Sequence, residues 1–277
     1  MSLAAAGRNR AAVPHNSNFL AATILFLAAA DLHGGRVNLA ASAWEFRHRF
    51  WIFGAWFWIS FSSYRIDHKN FGQSIAQFLC TLAHREPTST DLRLIFLLGV
   101  FLTVLAAFLR TWATAYIRPE VMVDGELHTH TVIAEGPYRF VRNPLYLGTN
   151  LLALGYSVMA SRLGAVLLVV GIMAFNYRII LREERELTLA QGGNYERFRR
   201  AVPRLWPSLR PLVAASERKP DWGAGLLGEM FFWGLALALL VFTFTFDLRA
   251  YFLTLGLSFG VYFLCLGLIA RNKRRKL

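Results

Sequence analysis

Residues 144–181 read PLYLGTNLLALGYSVMASRLGAVLLVVGIMAFNYRIIL, and this stretch decides how the chain folds. It holds two apolar runs, Pro144–Ser161 and Leu163–Leu181, with almost nothing between them. Each run is close to the length of about 20 residues that a helix needs to cross a bilayer. We therefore predict a tight helical hairpin in a membrane. Small residues that permit close helix contact recur along it, at Gly148, Gly155, Gly164 and Gly171.

The rest of the chain repeats this apolar character, since 55% of its 277 residues are hydrophobic. Long apolar runs occur at Leu94–Ile117, Ala224–Phe246 and Ala250–Ala270, and shorter ones at Phe19–Leu32, Phe50–Ser63 and Phe71–Ala83. Helices satisfy their own backbone hydrogen bonds in lipid. We predict an all-α, polytopic transmembrane helical bundle with about seven or eight spans. It divides into an N-terminal transmembrane region (1–93), a core (94–223) and a C-terminal two-helix hairpin with a basic tail (224–277).

The net charge of +13 predicts how the chain is oriented. Basic residues crowd the tail at 271–276 and the segments 118–143 and 182–223, which the positive-inside rule places in the cytoplasm. This distribution accounts for the charge without a nucleic-acid partner. We expect a multi-pass protein with its C-terminus and active site cytoplasmic, in a bacterial inner membrane or, in a eukaryote, the endoplasmic reticulum.

Polar side chains crowd both ends of the hairpin. The entry holds Tyr138, Arg139, Arg142, Asn143, Pro144 and Tyr146, and the exit holds Arg178, Arg182, Glu183, Glu184 and Glu186. Because a hairpin returns to the same face, we expect the two sets to be neighbours. We predict Asn143 as the N-cap of the helix. The free N–H groups at the helix start and the nearby arginines suit a ligand carboxylate, and the glutamates suit an amine or ribose hydroxyls.

Purely structural roles for these residues also remain open. Interfacial arginines often only snorkel, and Arg182 with Glu186 has the spacing of an ordinary helical ion pair. His128 and His130 have no evident third ligand, so we predict no metal site. No Walker, Rossmann or His-Glu-x-x-His pattern occurs.

Five motifs in a fixed order resemble the isoprenylcysteine carboxyl methyltransferase and phospholipid methyltransferase superfamily of integral membrane enzymes. They span 135–211 and comprise Gly136-Pro137-Tyr138-Arg139, Arg142-Asn143-Pro144-Leu145-Tyr146-Leu147-Gly148, Glu183-Glu184-Arg185-Glu186-Leu187, Gly192–Tyr195 and Val202–Pro207. Asn143 stands where many members have His. Asn donates and accepts hydrogen bonds but does not titrate near neutral pH, which disfavours proton transfer there.

The resemblance implies S-adenosylmethionine as the methyl donor and a lipid or prenylated small-molecule or peptide acceptor that enters from the bilayer. It implies a cofactor pocket at the cytoplasmic ends of the helices, lined by Tyr138, Arg139, Arg142, Asn143, Pro144, Tyr146, Glu183 and Glu184. It also implies an arginine and a glutamate beside the methyl group. Arg178 and Arg182 are the candidates for that arginine, because the family position falls near Ile179.

The acceptor stays open at this point. A carboxylate, as in isoprenylcysteine, is already anionic and needs an arginine to position it, whereas an amine, as in phosphatidylethanolamine, must lose a proton to Glu183 or Glu184. The arginine-rich surroundings slightly favour the carboxylate. The sequence also leaves room for a sterol-type membrane reductase or a non-catalytic membrane protein.

Overall fold

The structure is a computed structural model that describes residues 32–33, 36–37, 39–117, 134–215 and 219–275. The chain forms two compact units, Met1–Leu39 and Ala40–Leu277. In the first, β1 (Leu32–His33) pairs antiparallel with β2 (Arg36–Val37). The predicted run Phe19–Leu32 and the pair His128 and His130 lie outside the described residues, apart from Leu32 itself.

Helices are the main regular structure in the described part of the second unit. Its α-helices are α1 (Ala43–Arg47), α2 (Arg49–Ser62), α3 (Phe71–Leu82), α4 (Ser89–Thr114), α5 (Pro144–Ser157), α6 (Arg162–Gln191), α7 (Gly193–Ala201), α8 (Trp222–Gly228), α9 (Met230–Thr245) and α10 (Leu248–Arg275). Single 3₁₀ turns form at Ser63–Arg65 and Gly136–Arg139. The all-α prediction is confirmed for this unit.

The predicted hairpin is present as α5 and α6. Ser161 ends the connection between them, and its side chain accepts from the N–H of Gly164 at 3.0 Å, which starts α6. α6 continues ten residues past the predicted end at Leu181, to Gln191, and so carries the exit cluster on one continuous helix. The helix that starts at Pro144 is 14 residues, or about 21 Å, which is shorter than a full span.

The glycines of the hairpin serve contacts with other helices. A Cβ at Gly148 would meet the side chain of Arg110 on α4, and one at Gly171 would meet the ring of Trp56 on α2. A Cβ at Gly155 would meet the backbone carbonyl of Gly99 on α4. The hairpin therefore packs closely against α4 on one side and α2 on the other, because its small residues let its backbone approach those helices.

Three described helices are long and apolar enough to cross a membrane: Ser89–Thr114, Arg162–Gln191 and the part Leu248–Leu268 of α10. The predicted single span Ala224–Phe246 is wrong in one respect, because α8 and α9 meet at a bend of 60°. The bend falls at Glu229, which is buried and ion-paired. If the bent pair is one span, the described residues hold four, and the total of seven or eight stays a prediction.

Candidate functional site

Arg139, one of the entry residues, binds the backbone of the segment after α7. Its Nε donates to the carbonyl of Val213 at 2.9 Å, and its own carbonyl accepts from the N–H of Leu212 at 2.9 Å. Within the described chain it makes no hydrogen bond or ion pair with Glu183 or Glu184. In the structure the Nε of Arg139 joins the segment before α5 to the segment after α7, and the predicted bond from Arg139 to a ligand carboxylate stays a prediction.

Glu184 is the centre of a buried charge cluster. Its carboxylate is 4% exposed and accepts from Arg204 Nη2 at 2.7 Å and Arg204 Nε at 3.1 Å. Arg142 Nη2 lies 3.2 Å from Oε1, and Asn143 Nδ2 approaches the same oxygen at 3.5 Å. The entry and exit clusters therefore do meet here, as predicted. Both carboxylate oxygens are engaged, so Glu184 orients the two arginines.

Glu183 has a different environment, although it is the next residue. Tyr146 on α5 donates its hydroxyl to Glu183 Oε1 at 2.6 Å. No residue that the structure describes donates a hydrogen bond to Oε2. Behind this pair, Asn176 Nδ2 donates to Asn150 Oδ1 at 2.5 Å and to the carbonyl of Tyr146 at 3.3 Å. The buried amides fix α5 against α6, and one carboxylate oxygen of Glu183 is left to accept from a ligand.

The start of α5 is open to an anion. Asn143 occupies the N-cap position, but its side chain makes no capping bond and donates instead to the carbonyl of Arg204 at 3.1 Å, so the predicted cap is wrong. Pro144 has no N–H to offer, and the following N–H groups have no side-chain cap. Next to them, Nε of Arg142 is buried without a hydrogen-bond partner in the described chain.

Electrostatics keep these groups in defined states. Burial, reinforced by the charge of Glu183, raises the pKa of Tyr138 well above its usual value, so its hydroxyl stays neutral and able to donate. Burial lowers the pKa of Arg142, and Glu184 opposes that shift. Hydrogen bonds to Glu184 raise the pKa of Arg204. Both guanidinium groups are charged at neutral pH, since arginine starts above about 12.

Arg178 and Arg182 lie on another face of α6, against α1. Arg178 Nη2 donates to both carboxylate oxygens of Glu45, at 2.9 and 3.0 Å. Arg182 Nη1 donates to the carbonyl of Ala41 at 3.3 Å, and Nη2 lies 2.6 Å from Glu186, which confirms the predicted helical pair. Neither arginine is hydrogen-bonded to the Glu184 cluster in the described chain.

A buried ion pair between α4 and the bend at Glu229 is among the contacts that the sequence interpretation missed. Arg110 on α4 donates to Glu229 through Nε at 2.6 Å and Nη2 at 3.1 Å, and Thr114 donates to the same carboxylate at 2.8 Å. Its third nitrogen, Nη1, donates to the carbonyl of Leu145 and to Thr149, both at 3.0 Å. The signal was present, because a charged residue inside an apolar run marks a function or a partner. Arg204 lies in the predicted motif Val202–Pro207, but its contact with Glu184 was also missed.

Metal binding has no support among the residues that are described. No group of three or more His, Cys, Asp or Glu side chains is placed to hold an ion there.

Residues 94–191 match the family model of phospholipid methyltransferases. No curated protein and no solved structure matches the chain. The matched region covers most of α4 and all of α5 and α6, and it ends before α7. It contains Arg142, which precedes α5, together with Tyr146, Glu183 and Glu184. The match supports the phospholipid alternative better than the slight preference for isoprenylcysteine, because the phospholipid methyltransferases are the closer class.

The family assignment also agrees with the apolar helices, which indicate a membrane protein. Methyltransferases of this family generally use S-adenosylmethionine. Residues 94–191 thus match the phospholipid methyltransferase family, which is part of the integral membrane methyltransferase superfamily, and this match supports methyltransferase activity.

Proposed function

We propose that the protein transfers a methyl group from S-adenosylmethionine to the amine of a phospholipid such as phosphatidylethanolamine. The observation that carries the proposal is the pair formed by Tyr146 and Glu183, a carboxylate with one oxygen held and one free, inside the matched region. An amine acceptor needs such a base, and a carboxylate acceptor would be repelled by it.

The residues at the start of α5 fit the donor. Uncapped N–H groups at a helix start attract a carboxylate, and the buried Nε of Arg142 offers a charged donor beside them. S-adenosylmethionine carries such a carboxylate, and its chemical contribution is an electrophilic methyl group on a sulfonium. Arg142, Asn143 and the first turn of α5 would hold the amino-acid end, and Tyr138 would offer a neutral hydroxyl.

Glu184 serves this site through its partners. Its carboxylate holds the guanidinium groups of Arg142 and Arg204 at 3.2 and 2.7 Å, so that Arg142 keeps its Nε turned to a ligand. We therefore propose a positioning role for Glu184, where the sequence had suggested direct cofactor contact or catalysis as well.

Glu183 acts on the acceptor. An alkyl ammonium resembles that of lysine, with a pKa of about 10.4, and is protonated at neutral pH. Glu183 Oε2 takes one of its protons, and the freed lone pair attacks the methyl carbon. The N–C bond forms as the C–S bond breaks, and the electron pair of that bond goes to sulfur. Tyr146 keeps Glu183 in place during this step, because its hydroxyl is bonded to the other oxygen.

The proposal is tested on purified protein in two measurements. Thermal stabilisation by S-adenosylhomocysteine but not by NADPH is expected, and the reverse would favour a sterol-type reductase. Label from radioactive S-adenosylmethionine is expected in phosphatidylethanolamine and not in an isoprenylcysteine analogue. The proposal is rejected if only the isoprenylcysteine analogue is labelled.

A further inference from the structure

Arg178 is a buried cation with unused hydrogen-bonding capacity. The residue is 8% exposed, and its Nε and Nη1 have no hydrogen-bond partner in the described chain. Only Nη2 is engaged, and it serves both oxygens of Glu45. Buried charged donors are normally satisfied, so two open positions on one guanidinium indicate a missing acceptor.

The surroundings of Arg178 are also basic. Arg182, one turn further along α6, has a buried Nε without a partner in the part of the chain that is described. The guanidinium groups of Arg182 and Arg49 lie 5.6 and 4.5 Å from the ring centre of Phe46 on α1. The site therefore joins three arginines, of which two offer open donors, around the short helix α1.

Glu45 does not depend on Arg178 for its own hydrogen bonds. Its carboxylate accepts from the backbone N–H of Ser42 at 2.6 Å in the capping box that starts α1. If Arg178 exchanged partners, Glu45 would keep this bond, while Arg178 would gain acceptors for its open donors. The contact of Arg178 with Glu45, the closed state, therefore leaves more donors of Arg178 without an acceptor than a contact with an entering anion that has several oxygens would.

We propose that Arg178 and Arg182 bind the phosphodiester of the acceptor lipid, and that Glu45 occupies Arg178 until the lipid arrives. A phosphodiester matches the forked donors of arginine. Arg182 and Glu183 are successive residues of α6, separated by a rise of about 1.5 Å along the helix axis, so an amine joined to the phosphate by a short linker stays near the proposed base. This inference rests on the proposed function, and it makes α1 a segment that the substrate displaces.

The binding test uses a lipid that has the phosphodiester but no amine. Dioctanoyl phosphatidylglycerol in maltoside micelles is titrated against the purified protein, with dioctanoylglycerol as the phosphate-free control. We expect binding of the first lipid only. Inorganic phosphate is added as a competitor. If it displaces phosphatidylglycerol at concentrations equal to those of the lipid, the site is assigned to free phosphate and the lipid assignment is overturned.

Variants locate the site. Glu45→Gln is expected to tighten phosphatidylglycerol binding roughly tenfold, because the competing closed state is weakened. Arg178→Gln should weaken it by about tenfold or more, and in that background Glu45→Gln should have no further effect. Arg197→Gln, on the exposed face of α7, is the matched control and should bind as the wild type does. Equal affinity in Arg178→Gln and Arg197→Gln overturns the proposal.

Two readouts keep folding and function apart. The double variant Glu45→Gln and Arg178→Gln removes both charges together, so it tests the site without an unpaired buried charge. Binding of S-adenosylhomocysteine and methyl transfer are measured on the same proteins. If the protein binds phosphatidylglycerol but neither binds S-adenosylhomocysteine nor transfers a methyl group, the proposed function is rejected. If it transfers a methyl group but does not bind phosphatidylglycerol, the phosphate site is rejected.

Discussion

Glu229→Gln is expected to destabilise the protein strongly. The carboxylate is 1% exposed, and it accepts two bonds from Arg110 and one from Thr114. The amide would leave the guanidinium of Arg110 without a counter-charge in an apolar bundle. Removing one partner of a buried ion pair costs about 3–5 kcal/mol. For a chain of this size that corresponds to a fall in Tm on the order of 10 °C.

A second variant isolates the pair. Arg110→Met with Glu229→Met replaces both charges by apolar chains of similar length, and it should recover most of the loss, since double apolar replacement of a buried pair is often neutral. Arg110 also packs 4.0 Å from the ring centre of Phe232 and binds the carbonyl of Leu145 in the first turn of α5. We therefore expect stability to return without full methyl transfer.

The assay is thermal unfolding in detergent for the wild type, Glu229→Gln, the single variants Arg110→Met and Glu229→Met, and the double variant. Glu196→Gln, at a surface pair on α7, is the control and should change Tm far less. Our reasoning would be refuted by an unchanged Tm in Glu229→Gln. It would equally be refuted if the fall in Tm of the double variant equalled the sum of the falls in the single variants, because the effects of replacing two partners of one ion pair are not additive.

Three further outcomes are expected. Gly148→Ala should lower Tm and donor affinity together, because the added Cβ meets the Arg110 side chain; Gly193→Ala, with open space, is the control. Glu184→Gln should weaken S-adenosylhomocysteine binding about tenfold, or 1.4 kcal/mol, with the protein folded, as measured by titration; unchanged affinity and turnover reject its positioning role. Tyr146→Phe should lower kcat by about tenfold with donor affinity retained, because Glu183 loses its only described hydrogen bond; a normal kcat would contradict the assignment.

The positions of the helices could be predicted well from the sequence because lipid permits few kinds of backbone structure. Long apolar runs must be helices, and a hairpin must return its ends to one face. The predicted meeting of the entry and exit clusters follows from those two facts, and the structure confirms it in the contacts of Tyr146 with Glu183 and of Arg142 with Glu184.

Long-range polar pairing could not be predicted in this way. Arg110 and Glu229 are 119 positions apart, and no local pattern says that they meet or that α8 and α9 bend there. The contact of Arg178 with Glu45 spans 133 positions and was missed for the same reason. Side-chain direction was the other failure: Asn143 occupies the N-cap position, but its amide is drawn to the carbonyl of Arg204.

The central claim is methyl transfer to a lipid amine with Glu183 as the base, and one measurement tests it most directly. Wild-type protein and Glu183→Gln are loaded with labelled S-adenosylmethionine and mixed with phosphatidylethanolamine, and the products are separated in a single turnover. We predict N-methylated lipid from the wild type and a loss of at least about a hundredfold in the variant, with donor binding unchanged. Equal rates in the two proteins, or label anywhere but the amine, would contradict the claim.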